Sequence, residues 1–377
     1  MINPTDIKLF IDPFSHHFQQ DTLFDINKCR LDGDNILAPY VYLRNWFEDR
    51  GIEVHTADHL LQRQGLGAKN VYISFGIQDH YRTLARWPDV ILSAFFAFEG
   101  PIVEPTLYLG LTKAQKYFKR IFSFSDAESL KPFLRGPLQC FKFHIPQSFE
   151  SVHEEIWGQE DRKFLVMITA NKLPRLYYQE LYTERRRAVE YFSRTGEIDL
   201  YGVGWDGPAH RVGKTRVPYT FRRLHKRFLY YWQRFSPDPL LEACRRVYRG
   251  PAISKRETLG QYTFALCFDN QILNGWLTEK IFDCFFAGTI PIYLGAPDIE
   301  TYIPKECFID LRQFSGYGEL RSYLKSLTKK DIRRYKESAR EYLRSPQYRP
   351  FTKIAFTELI ARIVEEDTGI KLLEASV

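Results

Sequence analysis

Apolar residues along the chain fall into two series of short, nearly continuous runs, separated by stretches with helical spacing. "IKLFID" (Ile7 to Asp12) reads as a first strand. In "LAPYVYLRNWFEDRG" (Leu37 to Gly51) the apolar residues recur every three or four positions and Gly51 supplies a stop, which predicts a helix. "IEVHTA", "NVYISF" and "DVILSAFFAFE" read as further strands, the last ending in Glu99 and followed by the loop "GPIVEP". Strands alternating with helical segments predict an α/β half with a parallel sheet.

From about Pro146 to Arg162 the pattern turns polar and irregular, and a junction is expected there. A second series follows: "KFLVMITA" as a strand, "LYYQELYTERRRAVEYFSRTG" as a helix, "IDLYGVGWDG" as a strand with a Gly-rich turn, and "YTFALCF", "TIPIYLG" and "CFIDLRQF" as strands. The tail is helical with a break at Pro346 and Pro350. The expected partition is 1–155, 156–350, and a helical tail over 351–377 with the option of packing back on the first domain. Two such halves suggest a ligand cleft between them, with ligands at the carboxyl ends of the strands.

Length and composition agree. At 377 residues the chain exceeds one ordinary core, and 44% hydrophobic with 26% charged residues describes a folded protein. Aromatic residues, at 16%, are read first as core and second as stacking faces for sugars. The net charge of +7 suits an anionic ligand or membrane surface, and its densest block is "FRRLHKRFLYYWQRF" (Phe221 to Phe235). No zinc-finger spacing or aromatic RNA-binding motif occurs, so no nucleic-acid partner is expected. None of the six cysteines forms a CxxC pair; Cys267 and Cys284 sit in apolar runs as small buried hydrophobes, which fits a reducing compartment. The opening "MINPTDIKLFIDPF" lacks signal-peptide order, and no apolar run approaches membrane-spanning length, so a soluble or peripheral protein is expected.

The chemistry concentrates in "NGWLTEKIFDCFFAGTIPIYLGAP" (Asn274 to Pro297). Thr278 is placed to cap a helix whose following residues are apolar on nearly every face, apart from Asp283. A helix start offers unpaired N–H groups and partial positive charge to a phosphate, and Lys280 adds a full charge. Glu279 stabilises the helix start and could hold vicinal hydroxyls. The bland alternative is a capped helix carrying a solvated Glu–Lys pair.

The wider segment Gly260 to Phe314 resembles the donor-binding signature of family 10 glycosyltransferases, the α-1,3/4-fucosyltransferases: FxxxFEN at Phe264 to Asn270, Y-x-T-E-K at Trp276 to Lys280, Ala287–Gly288, and the P-[IV]-Y-x-G strand at Pro291 to Gly295. "YRGPAISKRETLGQY" (Tyr248 to Tyr262) is similar to the lead-in of bacterial members. "ELYTERRRAVEYF" resembles the helix whose arginine meets the donor pyrophosphate, which implies Arg185, with Arg186 and Arg187 as rivals. "MITANK" puts Asn171 where the family has a Ser-Asn pair, and "FFAFEGPIVEP" implies Glu99 as general base, with Glu104 as local rival. Two residues depart from the family pattern: Asp269 replaces its Glu, and Trp276 replaces the Tyr before "TEK". Both leave room for another GDP-sugar.

The resemblance implies a GT-B fold of two facing Rossmann-like domains, and an inverting transfer of L-fucose from GDP-β-L-fucose. The expected donor-binding set is Arg185, Asn171, Asp269, Asn270, Trp276, Thr278, Glu279 and Lys280. No metal site and no cofactor are expected. The expected partners are GDP-fucose, an oligosaccharide or glycolipid acceptor, and a peripheral contact with the inner face of the membrane through the basic block. The resemblance is to a bacterial-type cytoplasmic member without a Golgi anchor, acting on surface glycans such as lipopolysaccharide or in protein glycosylation. Acceptor choice is assigned to loops such as "RLDGDN" and "IVEPTLYLGL". A non-catalytic nucleotide-sugar-binding protein on the same fold is the alternative of a different class.

Overall fold

The apolar runs assemble into two parallel sheets, each in its own unit. The structure, a computed structural model, describes residues 3–27, 34–76, 80–213, 224, 228 and 238–373. One unit comprises Met1–Pro101, Pro105–Glu150 and Tyr348–Val377; the other comprises Ile102–Glu104 and Ser151–Gln347. The segments 30–33 of "RLDGDN" and all of the Phe221–Phe235 block except Leu224 and Phe228 lie outside the described residues, as does Cys29.

In the first unit, β1 (Ile7–Asp12), β2 (Glu53–Thr56), β3 (Lys69–Ser74), β4 (Val90–Ala97), β5 (Arg120–Ser123) and β6 (Phe141–Lys142) form one sheet in the order β2-β1-β3-β4-β5-β6, every pair parallel. A parallel sheet is covered on both faces, so its strands are apolar throughout rather than alternating; Leu9, Phe10 and Ile11 are all fully buried. The helix Ala38–Glu48 buries Tyr40, Leu43 and Phe47. Against it packs the helix Lys353–Thr368, capped by the Thr352 hydroxyl at its start and by Gly369 (φ 81°) at its end. Tyr40, Phe75, Phe96, Phe98 and Phe356 make mutual ring contacts in this unit, so much of its aromatic content is core.

Two local expectations change here. The strand expected to run to Glu99 ends at Ala97. "IVEPTLYLGL", expected as a loop, contains most of a helix, Pro105–Ala114. Proline is tolerated in a first helical turn, and Leu107, Leu111 and Ala114 then fall on one buried face with Tyr108.

The second unit contains β7 (Lys163–Ile168), β8 (Lys172–Pro174), β9 (Ile198–Tyr201), β10 (His210–Val212), β11 (Tyr262–Phe268), β12 (Ile290–Leu294) and β13 (Ile309–Asp310). Five of them form a parallel sheet in the order β13-β12-β11-β7-β9; β8 and β10 pair separately. Its core includes Leu165, Met167, Val189, Phe192, Leu200, Phe264, Leu266 and Ile292. The helix expected from about Leu176 begins only at Tyr182. The preceding backbone is diverted into sheet-like bonds: Leu181 N–H donates to the Asn270 carbonyl (3.1 Å) and Ile272 N–H to that of Gln179 (2.8 Å). The tail helix Lys329–Arg344 stops just before Pro346, as the sequence indicates. Among the described residues no helix is long and apolar enough to cross a membrane, and Cys140, Cys244, Cys267, Cys284 and Cys307 are free thiols.

Candidate donor site in the second unit

Strands β7, β11 and β12 are neighbours, so their carboxyl ends deliver Thr169, Asp269 and Gly295 to one edge of the sheet. The chain then loops through Trp276 and enters the helix Glu279–Ala287, whose start therefore lies at that edge. Gly288 ends this helix in the left-handed region (φ 65°), where glycine carries no Cβ penalty.

Thr278 occupies the N-cap position but does not cap. Its hydroxyl donates instead to Asp269 Oδ1 (2.7 Å) and accepts from Lys280 Nζ (3.0 Å). The expectation of a capping hydroxyl is thus corrected: a buried carboxylate without partners costs more than an unfilled cap, and it takes the hydroxyl. The first-turn N–H groups are left without a Thr278 cap.

Asp269 is buried and its other oxygen accepts from the Tyr293 hydroxyl (2.6 Å). Burial raises its carboxyl above the ordinary value, against the opposing pull of Lys280, Tyr293 and Thr278. Glu279 goes the other way. Desolvation pushes it up, but Lys280 and then Lys255 outweigh that and hold it at about 2, so it is ionised at neutral pH. Lys280 also donates to Glu279 Oε1 at 3.3 Å.

Arg185 is buried and its guanidinium is fixed on three sides. It donates to the Phe268 carbonyl (2.7 Å), Asn270 Oδ1 (3.0 Å) and Thr169 Oγ1 (3.2 Å), and lies over the Tyr182 ring. Desolvation lowers its pKa from the ordinary guanidinium range, opposed by Tyr182 and by charges including Asp269 and Glu279. The two rival arginines are directed elsewhere. Arg186 donates to Asn171 Oδ1 and pairs with Asp238 at 3.2 Å; Arg187, 62% exposed, pairs with Glu184 at 3.3 Å.

A cavity opens among these groups, lined by Thr169, Arg185, Lys255, Glu279, Lys280 and Asp283 with apolar walls from β7 and β11. Three cations against two carboxylates favour an anion there. Of the expected donor residues, the structure brings Arg185, Glu279 and Lys280 to this cavity; behind them Thr278 is bonded to Lys280 and Asn270 to Arg185, and Asp269 is bonded in turn to Thr278. Trp276 is 2% exposed and is not among the lining residues, so both departures from the family pattern, Asp269 and Trp276, sit in the interior behind the wall. Asn171 holds the carbonyls of Gly204 (2.8 Å) and Gly207 (2.9 Å), which makes it a positioning residue for that turn. Glu99, in the first unit, lies two residues beyond β4 and accepts from the Gly100 N–H (2.8 Å). Lys255 was not singled out from sequence; its only local sign is a basic residue just after Ser254, which caps the helix Lys255–Gly260.

Gly295 gives a direct check on this arrangement. A Cβ there would overlap both Asp269 Oδ2 and the Tyr293 hydroxyl. Gly295→Ala is expected to lose about 1–3 kcal/mol of stability, as overpacked sites do, with weaker GDP binding. Urea unfolding alongside a GDP titration reads both; unchanged values would mean that the Asp269–Tyr293 pair does not constrain the site.

Residues 240–354 match the family model for the C-terminal part of glycosyltransferase family 10 (fucosyltransferase). An alpha-(1,3)-fucosyltransferase FucT of Helicobacter pylori is 40% identical over 74 residues, 20% of this chain and 16% of that protein. A GDP-fucose protein O-fucosyltransferase 3 of Xenopus laevis is 30% identical over 114 residues, 30% of this chain and 23% of that protein. The matches thus span less than a quarter of these curated relatives. Among solved structures, Anabaena HepE in complex with UDP and glucose aligns over 96% of this chain and 99% of that one, with TM-score 0.52 and 11% identity. An alpha-glucosyltransferase in complex with UDP and a 13-mer DNA aligns over 95% and 99%, with TM-score 0.50 and 14% identity. These likenesses concern the fold, which is of the GT-B type with two parallel-sheet α/β domains.

Proposed function

From its membership of glycosyltransferase family 10, which rests on residues 240–354, we propose that this chain transfers L-fucose from GDP-β-L-fucose to a hydroxyl of a saccharide acceptor. The observation that carries the proposal is the cationic cavity at the start of the helix Glu279–Ala287, inside the matched segment. The donor diphosphate is held by Lys280, Arg185 and Lys255 with the first-turn N–H groups, Glu279 takes hydroxyls of the nucleotide sugar, and Asn270 positions Arg185 from behind.

Transfer proceeds by a single inverting displacement. The acceptor oxygen bonds to the anomeric carbon while the bond from that carbon to the phosphate oxygen breaks. The electron pair leaves with GDP, and the acceptor proton passes to Glu99. Side-chain cations neutralise the departing diphosphate, so turnover proceeds without a divalent ion in the donor site. The linkage formed is α-1,3 or α-1,4, in surface-glycan synthesis. The similarity to a protein O-fucosyltransferase favours a second reading, in which the acceptor hydroxyl belongs to a protein side chain.

The test is a turnover assay with GDP-fucose, GDP-mannose and UDP-sugars, with and without EDTA, on saccharide and peptide acceptors. Consumption of GDP-fucose alone, insensitive to EDTA, is the expected result. Preference for another GDP-sugar would assign the Asp269 and Trp276 departures to donor choice, and binding without turnover on any acceptor would overturn catalysis. For Glu99, the expected outcome in Glu99→Gln is unchanged GDP affinity with loss of the acidic limb from the kcat/KM–pH profile. A retained limb would remove Glu99 from the base role.

A further inference from the structure

Away from the donor site, the first unit gathers Asp21, His55 and His59, whose ligand-type atoms all lie within 4.8 Å of one another. His55 is in β2 and His59 follows it in the short helix Ala57–Leu61. Asp21 reaches them from a loop. Its Oδ2 stands 2.9 Å from His55 Nδ1 and 3.7 Å from His59 Nε2. Its Oδ1 is anchored by the Thr56 N–H (2.7 Å), which aims Oδ2 at the two rings. The loop is itself tied down, with Asp21 N–H donating to Thr56 Oγ1 (2.9 Å) and Gln20 N–H to Asp58 Oδ1 (3.1 Å).

We propose that Asp21, His55 and His59 form a binding site for a zinc-class divalent ion, which fastens the Asp21 loop to β2 and the helix that follows. Ligand atoms about 2.0–2.2 Å from zinc in a tetrahedron stand about 3.3 Å apart, and the two distances to Asp21 Oδ2 bracket that value. Two imidazoles and one carboxylate are a donor set for zinc, cobalt or nickel rather than for calcium or magnesium. The three side chains are 21%, 22% and 30% exposed, which leaves an entry path and an open coordination position for water. Glu53 Oε2 lies 3.6 Å from His55 Nε2, on the side where the N–H of the ring nitrogen that does not ligate would be directed.

Charge favours a dication. Glu48, Glu53 and Asp58 stand around the cluster with Asp21, and among the described residues the cations paired with these carboxylates are Lys8 and Arg44. Lys8 is paired with Glu53 at 2.6 Å. Arg44 is bonded to Glu48 at 2.7 Å and stands 3.4 Å from Asp21 Oδ2, on the edge of the cluster. The spacing of the histidines, in "VHTADH", was visible in sequence; the convergence of Asp21 on them was not.

The test uses the full chain, stripped of metal and titrated with zinc against a chromophoric chelator, with cobalt as the spectroscopic probe. One zinc per chain is expected, together with cobalt d–d bands of a low-coordinate N/O site and a higher melting temperature. His59→Gln is expected to weaken binding by about 10–100-fold and to abolish the thermal shift. Asp21→Asn, an exchange that suits the left-handed backbone at this position (φ 56°), is expected to do the same. Circular dichroism verifies that each variant is folded; should Asp21→Asn not fold, His59→Gln decides alone. No uptake by the parent chain, or uptake unchanged in the folded variants, overturns the site and identifies any binding as adventitious.

Discussion

Lys280→Ala is expected to reduce kcat/KM for GDP-fucose turnover by about 10²–10³, the loss typical of removing one preorganised charge-stabilising donor. The ammonium is the second residue of the helix, beside Arg185 and Lys255 in the same cavity, where the proposed transfer would develop negative charge on the diphosphate. Its protein partners are modest. It donates to Thr278 Oγ1 at 3.0 Å and to Glu279 Oε1 at 3.3 Å, and the Glu279 side chain is 43% exposed. The pair is half-exposed, so solvent screens it and the melting temperature should move little beside the kinetic loss. The effect is therefore separable from stability: steady-state kinetics should collapse while thermal unfolding hardly shifts. Lys280→Arg, which keeps the charge on a different geometry, should recover part of the rate. A loss below about tenfold in Lys280→Ala would return Lys280 to the role of a solvated partner of Glu279, with the diphosphate charge carried by Arg185 and Lys255.

The donor segment was readable because its information is local. A polar helix start, an apolar helix, a glycine stop and a buried strand follow one another within Thr278 to Gly295, and each is fixed by neighbours in sequence. What lay beyond reading depends on contacts between distant residues. Thr278 was placed correctly at the N-cap, yet its hydroxyl serves Asp269 across nine positions, and no local rule states that. Of three consecutive arginines the resemblance put Arg185 first but kept Arg186 and Arg187 as rivals, because the phase of their helix against the sheet decides which one meets Phe268 and Asn270. "IVEPTLYLGL" was named as a loop, whereas Pro105–Ala114 is a helix whose buried face, Leu107, Tyr108, Leu111 and Ala114, gains its meaning only once the fold covers it. Lys255 and the Asp21–His55–His59 cluster show the same limit: the residues are plain in sequence, while their convergence belongs to the fold.

Arg185→Lys is expected to fail on two counts despite keeping the charge. The guanidinium fork reaches the Phe268 carbonyl, Asn270 Oδ1 and Thr169 Oγ1 at once, joining the carboxyl ends of β7 and β11. A lysine ammonium is a single point on a flexible stem and cannot hold these three acceptors in the same plane. Buried hydrogen bonds to a charged group are worth about 1.5–3 kcal/mol each, so a stability loss of about 2–3 kcal/mol is expected in urea unfolding. Turnover of GDP-fucose should fall by about 10²-fold even where the variant is fully folded, because Asn270 and the strand end lose their fixed positions and an ammonium cannot clamp two phosphate oxygens as the planar fork does. The neighbouring Arg186→Lys separates these two effects. Arg186 is also buried, but it is bonded to Asn171 and Asp238, away from the cavity-lining residues. It should lose stability while keeping GDP affinity. Equal losses of GDP affinity in the two variants would mean that Arg185 acts only by holding the sheet together; a loss confined to Arg185→Lys would assign it to the diphosphate.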